Sequence, residues 1–465
     1  MDRVPTLPER LPRSAEAAEH RIDALIKRAE SVLAEMREPV APSPLDAPPV
    51  PLTILHISTR LILGGSQENT VLSCEAQVRA GHRVHLAFGP IYGPEGSMLE
   101  RVEAFTSETG HHISTHEVPD LIRSIHPLRD RKALAQLRKL IEKLDPDIVH
   151  THSSKAGILG RLAAWQVRQT KKSRPAIVHT IHGPPFMPEE GTALGRALIR
   201  VKNNLYARAE RNAARKCDAI VSVADAMTDQ FLARDIGTPD LYTTVRSGME
   251  IDAFLEPAPG ESRANIRDQL GIEQGEFVIG TVARLAQHKG HDDILDALAP
   301  LMKEHLTWRL LWVGDGWWTE RLMKRVAELG LSQRVLNTGL VPPERIPGLM
   351  RAMDVLVHPS AREGLPRTVP QALLSGVCPI AYDVDGTREV CVDQQTGRLI
   401  PFGDKPALAE AVRWLAAHPA ERKAMAERGK ARVIEDFSAQ TMARNLESVY
   451  AQAIERAKET KANKR

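Results

Sequence analysis

The alternation of apolar and polar positions changes character along the chain. Residues 1–50 carry one helix-period stretch, SAEAAEHRIDALIKRAESVLAEMRE, with Ser14 placed to cap it, and then the proline-rich linker PVAPSPLDAPPVP. From Leu52 the texture becomes short apolar runs: LTILHIS, HRVHLAFG, DIVHTHS, AIVHTIHG and AIVSVA, separated by longer stretches of helical period. Such runs alternating with helices predict parallel strands in a doubly wound sheet. The pattern restarts near Phe277 with FVIGTVA, LLWVGDG, RVLNTGLV, VLVHPS and CPIAYDV, after the turn-rich connector SGMEIDAFLEPAPGESR. A capped helix, FSAQTMARNLESVYAQAIERAKE, follows the second set.

The expected fold is therefore α/β, with two Rossmann-like doubly wound domains facing a cleft and an N-terminal helical extension. The boundaries read as 1–50 for the extension, 51–250 and 251–432 for the two domains, and 433–465 for the last helix. Ligands of such sheets bind beyond the carboxyl ends of the strands, and most of the unusual residues fall there.

Composition narrows the function classes. A chain of 465 residues is too long for one ordinary core. Its 62 basic and 59 acidic residues nearly cancel, which argues against a nucleic-acid coat protein, so no nucleic-acid partner is expected. Cys74, Cys217, Cys378 and Cys391 form no C-x-x-C pair, and reduced, cytoplasmic thiols are the simplest reading. No apolar run approaches the ~20 residues of a membrane span, and MDRVPTLPERLPRS lacks the apolar core of a signal peptide. The expected location is cytoplasmic, with attachment to the inner membrane face allowed.

Three loops carry candidate chemistry. In TVARLAQHKGHDDILDAL, Arg284 and Lys289 lie between a strand and a helix, where backbone N–H groups and cations suit an anion such as a diphosphate; solvated surface cations are the plainer reading. In ILGGSQENT, Gly64 and Gly65 permit close backbone approach to a ligand, although the G-x-G-x-x-G dinucleotide fingerprint is missing. In REGLPRTVPQALLSG, Glu363 follows the strand VLVHPS, its carboxylate suited to ligand hydroxyls, with N–H groups of Gly364 and Leu365 beside it and none from Pro366.

Histidines cluster at strand ends in DIVHTHSSKAG and IVHTIHGPPF. His150 and His179 read as core or capping residues. His182 precedes Gly183, Pro184 and Pro185, so the chain turns there and the imidazole is expected to face the cleft. The H-x-H pair of His150 and His152 invites a metal, but no carboxylate lies close in sequence and no H-E-x-x-H helix exists, so no metal site is expected. In GRALIRVKNNLYARAERNAARKC, Arg196, Arg200, Arg208, Arg211 and Arg215 share one helical face, and Leu198, Ile199, Val201, Leu205, Tyr206 and Ala209 the other. The apolar side is expected to pack on the first sheet, with the basic side in water. Peripheral contact of residues 196–216 with anionic lipid is the alternative.

Taken together, ILGGSQENT, VHTHSSKAGILGRLAA, VHTIHGPPF, GTVARLAQHKG, WVGDG, HPSAREGLPRTVPQAL and the DGTREV turn resemble the family 4 glycosyltransferases of GT-B architecture, from about Leu52 to Tyr450 and in the family's order. The resemblance implies retaining transfer of a sugar from a nucleotide-sugar, UDP- or GDP-linked, to a glycan or lipid-linked acceptor in polysaccharide or glycolipid assembly, with no metal and no cofactor. It implies that Arg284, Lys289 and Gly65 grip the donor diphosphate, with Gly364 and Leu365 beside them, and that Glu363 and His182 meet the transferred sugar. It assigns Gln371 and the Glu389 turn to the donor sugar or ribose, and it sends the last helix back across the first domain. One departure is Gln371, which stands where the second acid of the family's E-x7-E signature is usual. An amide still bonds two hydroxyls but without charge assistance. Pro370 beside it removes an N–H, so the helix there should begin late or bend. An epimerase of the same architecture, or a nucleotide-sugar-binding protein without catalysis, is the competing expectation.

Overall fold

A computed structural model describes residues 51–92, 96–170, 175–183, 185–187 and 192–462. The predicted N-terminal helix and proline-rich linker lie outside the described residues.

The first half holds a seven-stranded sheet of order β3-β2-β1-β4-β5-β6-β7. Its strands are β1 (Thr53–Ser58), β2 (Arg83–Phe88), β3 (Ser114–Glu117), β4 (Ile148–His152), β5 (Ala176–Ile181), β6 (Ala219–Ser222) and β7 (Tyr242–Thr244). The second half holds a six-stranded sheet of order β10-β9-β8-β11-β12-β13, built from β8 (Phe277–Val282), β9 (Trp308–Val313), β10 (Val335–Asn337), β11 (Val355–His358), β12 (Cys378–Tyr382) and β13 (Arg398–Ile400). Every neighbouring pair is parallel. Helices on both faces make the central strands apolar throughout: Ile54, Leu55 and Ile57 of β1 are fully buried, as are Val355, Leu356 and Val357 of β11.

Strand order reverses between β1 and β4 in one sheet and between β8 and β11 in the other. Loops leaving the two strands at each reversal part to opposite faces and open a crevice. Every one of these four loops contributes to the site described below.

Both sheets belong to one compact unit, Pro51–Arg465. The chain passes between them twice, and the two crossings lie side by side: the Met249 N–H donates to the Phe437 carbonyl at 2.9 Å, and the Ala439 N–H to the Met249 carbonyl at 3.2 Å. The Pro419–Asp436 helix runs past residue 433, so the second crossing falls at Phe437 and Ser438. Beyond it, the Ala439–Ala462 helix returns to the first sheet and buries Leu446, Val449, Tyr450 and Ala453 against Ile54, Ile148 and Val178. Among the described residues, no helix is long and apolar enough to cross a membrane.

The basic side of the Ala193–Ala214 helix faces water as expected, but part of its apolar side does not pack inward. Leu198 is 64 % exposed, Val201 57 % and Leu205 66 %, so half of the expected apolar face points outward, whereas Ile199, Tyr206 and Ala209 are half-buried. The inward face is instead Ala207, Ala213, Ala214 and the fully buried Glu210. Glu210 Oε2 pairs with the Arg161 guanidinium at 2.6 Å, and its Oε1 accepts from the Tyr206 hydroxyl at 2.9 Å. Leaving either charge of a buried pair alone costs several kcal/mol. The pair therefore sets the helix rotation, and small alanines allow the close approach that it needs.

Candidate active site

A cavity of about 540 Å³ lies between the two halves. Gly65, Ser66, Ser153, Ser154, His182, Gly183 and Tyr206 line it from the first half; Arg284, Lys289, His358, Glu363, Gly364, Leu365 and Arg367 line it from the second. Seven residues singled out in the sequence thus meet at one place. Gly65 opens the Gly65–Arg79 helix, Arg284 and Lys289 follow β8, and Glu363 follows β11.

Glu363 is the best-held group. Its Oε1 lies 2.5 Å from Lys289 Nζ and 3.1 Å from His358 Nε2. Burial alone would raise the carboxyl's pKa, but the Lys289 ammonium and His358 outweigh it and hold the group well below the usual carboxylate range. Its own N–H donates to Asp385 Oδ2 at 2.8 Å. Asp385 holds a left-handed φ of 44°, and its Oδ1 accepts from Gln230 of the first half at 2.6 Å. Lys289 is placed by the next residue, Gly290, whose φ is 73°; a Cβ there would meet the Pro359 carbonyl oxygen at 2.1 Å. The Arg284 guanidinium lies 5.7 Å from the Trp317 ring centre.

The two halves touch at the edge of the cavity. A Cβ on Gly364 would sit 2.0 Å from the His182 carbonyl oxygen, so only a bare backbone fits. Arg367 binds Glu68 Oε1 at 2.7 Å and the Gly248 carbonyl at 3.0 Å, and Arg362 reaches the Phe186 carbonyl at 2.6 Å.

His182 ends a buried chain of hydrogen bonds through the first sheet. Its Nε2 meets His152 Nδ1 at 3.0 Å, His152 Nε2 meets His56 Nδ1 at 2.8 Å, and His56 Nε2 meets Gln77 Oε1 at 2.7 Å. Gln77 Nε2 then donates to the Tyr450 hydroxyl at 2.9 Å; Tyr450 meets His150 Nδ1 at 2.7 Å, and His150 Nε2 meets Thr180 Oγ1 at 2.7 Å. Burial lowers the pKa of every one of these histidines: His182 to about 3, with Arg367 adding to the effect, His56 to about 4, and His150 and His152 well below the ordinary value. All are neutral, so each ring has one donor and one acceptor nitrogen. With the Gln77 carbonyl accepting from His56, each link fixes the next tautomer. His182 carries its proton on Nε2 and keeps a lone pair on Nδ1.

His56, His150 and His152 bring ring nitrogens within 4.8 Å of one another, a spacing that would suit a metal ion. Yet all six nitrogens already have a hydrogen-bond partner in that chain. The H-x-H pair is therefore read as part of a buried proton-ordered network.

Gln371 and Glu389 do not line the cavity. Gln371 stands on the Thr368–Leu374 helix, which starts early enough to hold Pro370 in its first turn, where a missing N–H costs no helical bond. Glu389 faces the first half: its Oε1 accepts from the Ala226 N–H at 3.2 Å, and Arg246 lies 3.6 Å from Oε2. Burial raises its carboxyl above the usual range despite that bond. Sequence reading passed over His358, Arg367, Asp385 and Tyr206. A signal was present for the first two, since both flank Glu363 within the same strand-end loop.

Two family models match the chain: glycosyltransferase family 4 over residues 63–252 and glycosyl transferases group 1 over residues 262–432. The chain belongs to the family 4 glycosyltransferases. The first match contains Gly65, His182 and Tyr206, and the second contains Arg284, Lys289, His358 and Glu363, so each wall of the cavity falls within a matched region. This glycosyltransferase is 29% identical over 291 residues, 62% of its own length and 70% of the relative's, to an Escherichia coli UDP-Gal:alpha-D-GlcNAc-diphosphoundecaprenol alpha-1,3-galactosyltransferase. It is 27% identical over 279 residues, 60% of its length and 70% of the relative's, to an alpha-D-kanosaminyltransferase of Streptomyces kanamyceticus. Its GT-B fold matches the Anabaena HepE structure in complex with UDP and glucose, with a TM-score of 0.70 at 21% identity, covering 86% of this chain and 99% of that one. Sucrose-phosphate synthase from Thermosynechococcus elongatus also gives 0.70, at 19% identity over 86% and 98% of the two chains. The glycosyltransferase's last helix, with Tyr450, lies outside both family matches.

Proposed function

We propose that this glycosyltransferase is a retaining, metal-independent hexosyltransferase. It moves a sugar from a UDP- or GDP-sugar to a hydroxyl of a glycan or lipid-linked acceptor at the cytoplasmic face of a membrane. The observation that carries the reading is the meeting of Arg284, Lys289 and Glu363 on one wall of the cavity with His182 on the other. The names of the relatives support the donor and acceptor classes: the Escherichia coli protein is named for UDP-Gal and a diphosphoundecaprenol-linked acceptor.

In this reading Arg284 and Lys289 hold the donor diphosphate, helped by N–H groups at Gly65, Gly364 and Leu365, and offset the charge that grows as the bond to the anomeric carbon breaks. Glu363, kept ionised by Lys289 and His358, accepts from sugar hydroxyls. The neutral Nδ1 of His182 accepts from a hydroxyl on the opposite side. The acceptor oxygen attacks from the face that the phosphate leaves, and a departing phosphate oxygen takes the acceptor's proton, so no protein nucleophile is needed. Gln371 and Glu389 do not line the cavity, and we assign them no step.

The test is sugar transfer by Glu363→Ala and Lys289→Ala, measured by product mass after donors are screened by thermal shift. Loss of about 10²-fold or more in turnover is expected for each. Near-normal turnover in both removes the site. Unchanged rates with excess chelator support metal independence.

A further inference from the structure

The outward face of the Ala193–Ala214 helix has no partner in the described fold and an unusual make-up. Leu194, Leu198, Val201 and Leu205 are spaced to fall on one side of the helix, and they are exposed by 73 %, 64 %, 57 % and 66 %. A soluble protein seldom leaves four large apolar side chains in one exposed row. Lys202 and Arg208 are exposed along the two borders of that row. The helix's one acid, Glu210, is fully buried against Arg161, so the surface shows no carboxylate from this helix. We propose that this face docks on an anionic lipid bilayer, the leucines entering the interface and the flanking cations meeting headgroup phosphates.

Charge decides the occupant. An apolar row between cations, with the helix's only carboxylate turned inward, matches a surface that is apolar below and negative above. The row would repel its own copy through the same cations. The placement also has a use. Tyr206 stands on this helix and lines the cavity, so a helix lying in the membrane plane sets the cavity mouth close to the bilayer. A sugar acceptor carried on a lipid would then reach Glu363 and His182 without leaving the membrane. This last step rests on the acceptor class proposed above, whereas the docking itself does not.

Flotation of the full chain with vesicles separates the two. Wild type is expected to rise with vesicles containing phosphatidylglycerol and to bind pure phosphatidylcholine vesicles roughly tenfold less. Leu198→Gln with Leu205→Gln, and separately Lys202→Gln with Arg208→Gln, each lower partition to the anionic vesicles roughly tenfold or more. The replaced groups are exposed, and circular dichroism checks that the fold persists. Absence of flotation, or variants that float as wild type does, overturns the proposal. So does a concentration-dependent dimer that the leucine variant abolishes without any flotation, since a second copy then covers the face. Flotation without transfer to any lipid-linked acceptor upholds the docking surface and removes the acceptor class.

Discussion

Lys289 Nζ lies 2.5 Å from Glu363 Oε1, joining the loop after β8 to the loop after β11 across the strand-order reversal of the second sheet. The pair keeps the lysine at the cavity wall and the carboxylate charged in a buried place. Groups that act as a unit are non-additive on removal. Glu363→Gln and Lys289→Ala are each expected to lower kcat about 10²- to 10³-fold, and the double variant to lose little more than the worse single. A double-variant cycle on initial transfer rates checks this; multiplied losses would mean that the two act separately.

Gly364 offers a steric probe of the contact between halves. Alanine there places a methyl 2.0 Å from the His182 carbonyl, and the two backbones must separate. We expect kcat/KM to fall about 10²-fold, because misplacing a reacting group by an ångström costs that much. The melting temperature should drop by only a few degrees, since the contact borders the cavity and not either core. Paired rate and melting measurements decide it.

The histidine chain predicts an effect over a distance. Tyr450→Phe strips a partner from both Gln77 Nε2 and His150 Nδ1, each buried. The expected loss is about 1–3 kcal/mol of stability. Nitrogen NMR of labelled histidine should show His182 as one Nε2–H tautomer in the wild type and as a mixture in Tyr450→Phe or Gln77→Leu. A single unchanged tautomer in both variants would leave the chain with a packing role only.

Acid should unfold the protein early. His56, His150, His152, His179 and His182 all have pKa values below the ordinary 6.5, chiefly through burial. Below pH 6.5 the unfolded chain therefore binds protons that the folded chain refuses. Stability is complete above that value and falls as pH drops, by about 1.4 kcal/mol per pH unit for each such group. Urea midpoints measured from pH 7 to pH 4.5 should decline with increasing steepness, and a flat profile would refute the neutral, buried state of the cluster.

Sequence patterning was a good guide to what is buried and a poor one to what is not. Ten strands were legible as apolar runs because helices cover both of their faces. β3, β7 and β13 were missed. They are edge or near-edge segments reading STHE, YTT and RLI, half-wet and short, with no run to detect. Glu363, Lys289, Arg284 and His182 were legible because strand ends in such sheets gather ligands. Asp385 was not, because it acts on Glu363 and on Gln230 of the first half, both distant in sequence, and no local spacing reports that. The Ala193–Ala214 helix misled for another reason: its periodicity was real, but a single buried ion pair outweighed three leucines and a valine in choosing the inward face.

Vectorial synthesis gives the position of Tyr450 a consequence. Residues 53–244 leave the ribosome with every strand of the first sheet, yet the groove that receives the Ala439–Ala462 helix stays empty until nearly two hundred more residues have been made. Gln77 Nε2 and His150 Nδ1 lack their Tyr450 partner through that interval. The nascent chain thus has an apolar trough for a chaperone to hold, and it gains an ordered His182 only when the distant helix closes over it.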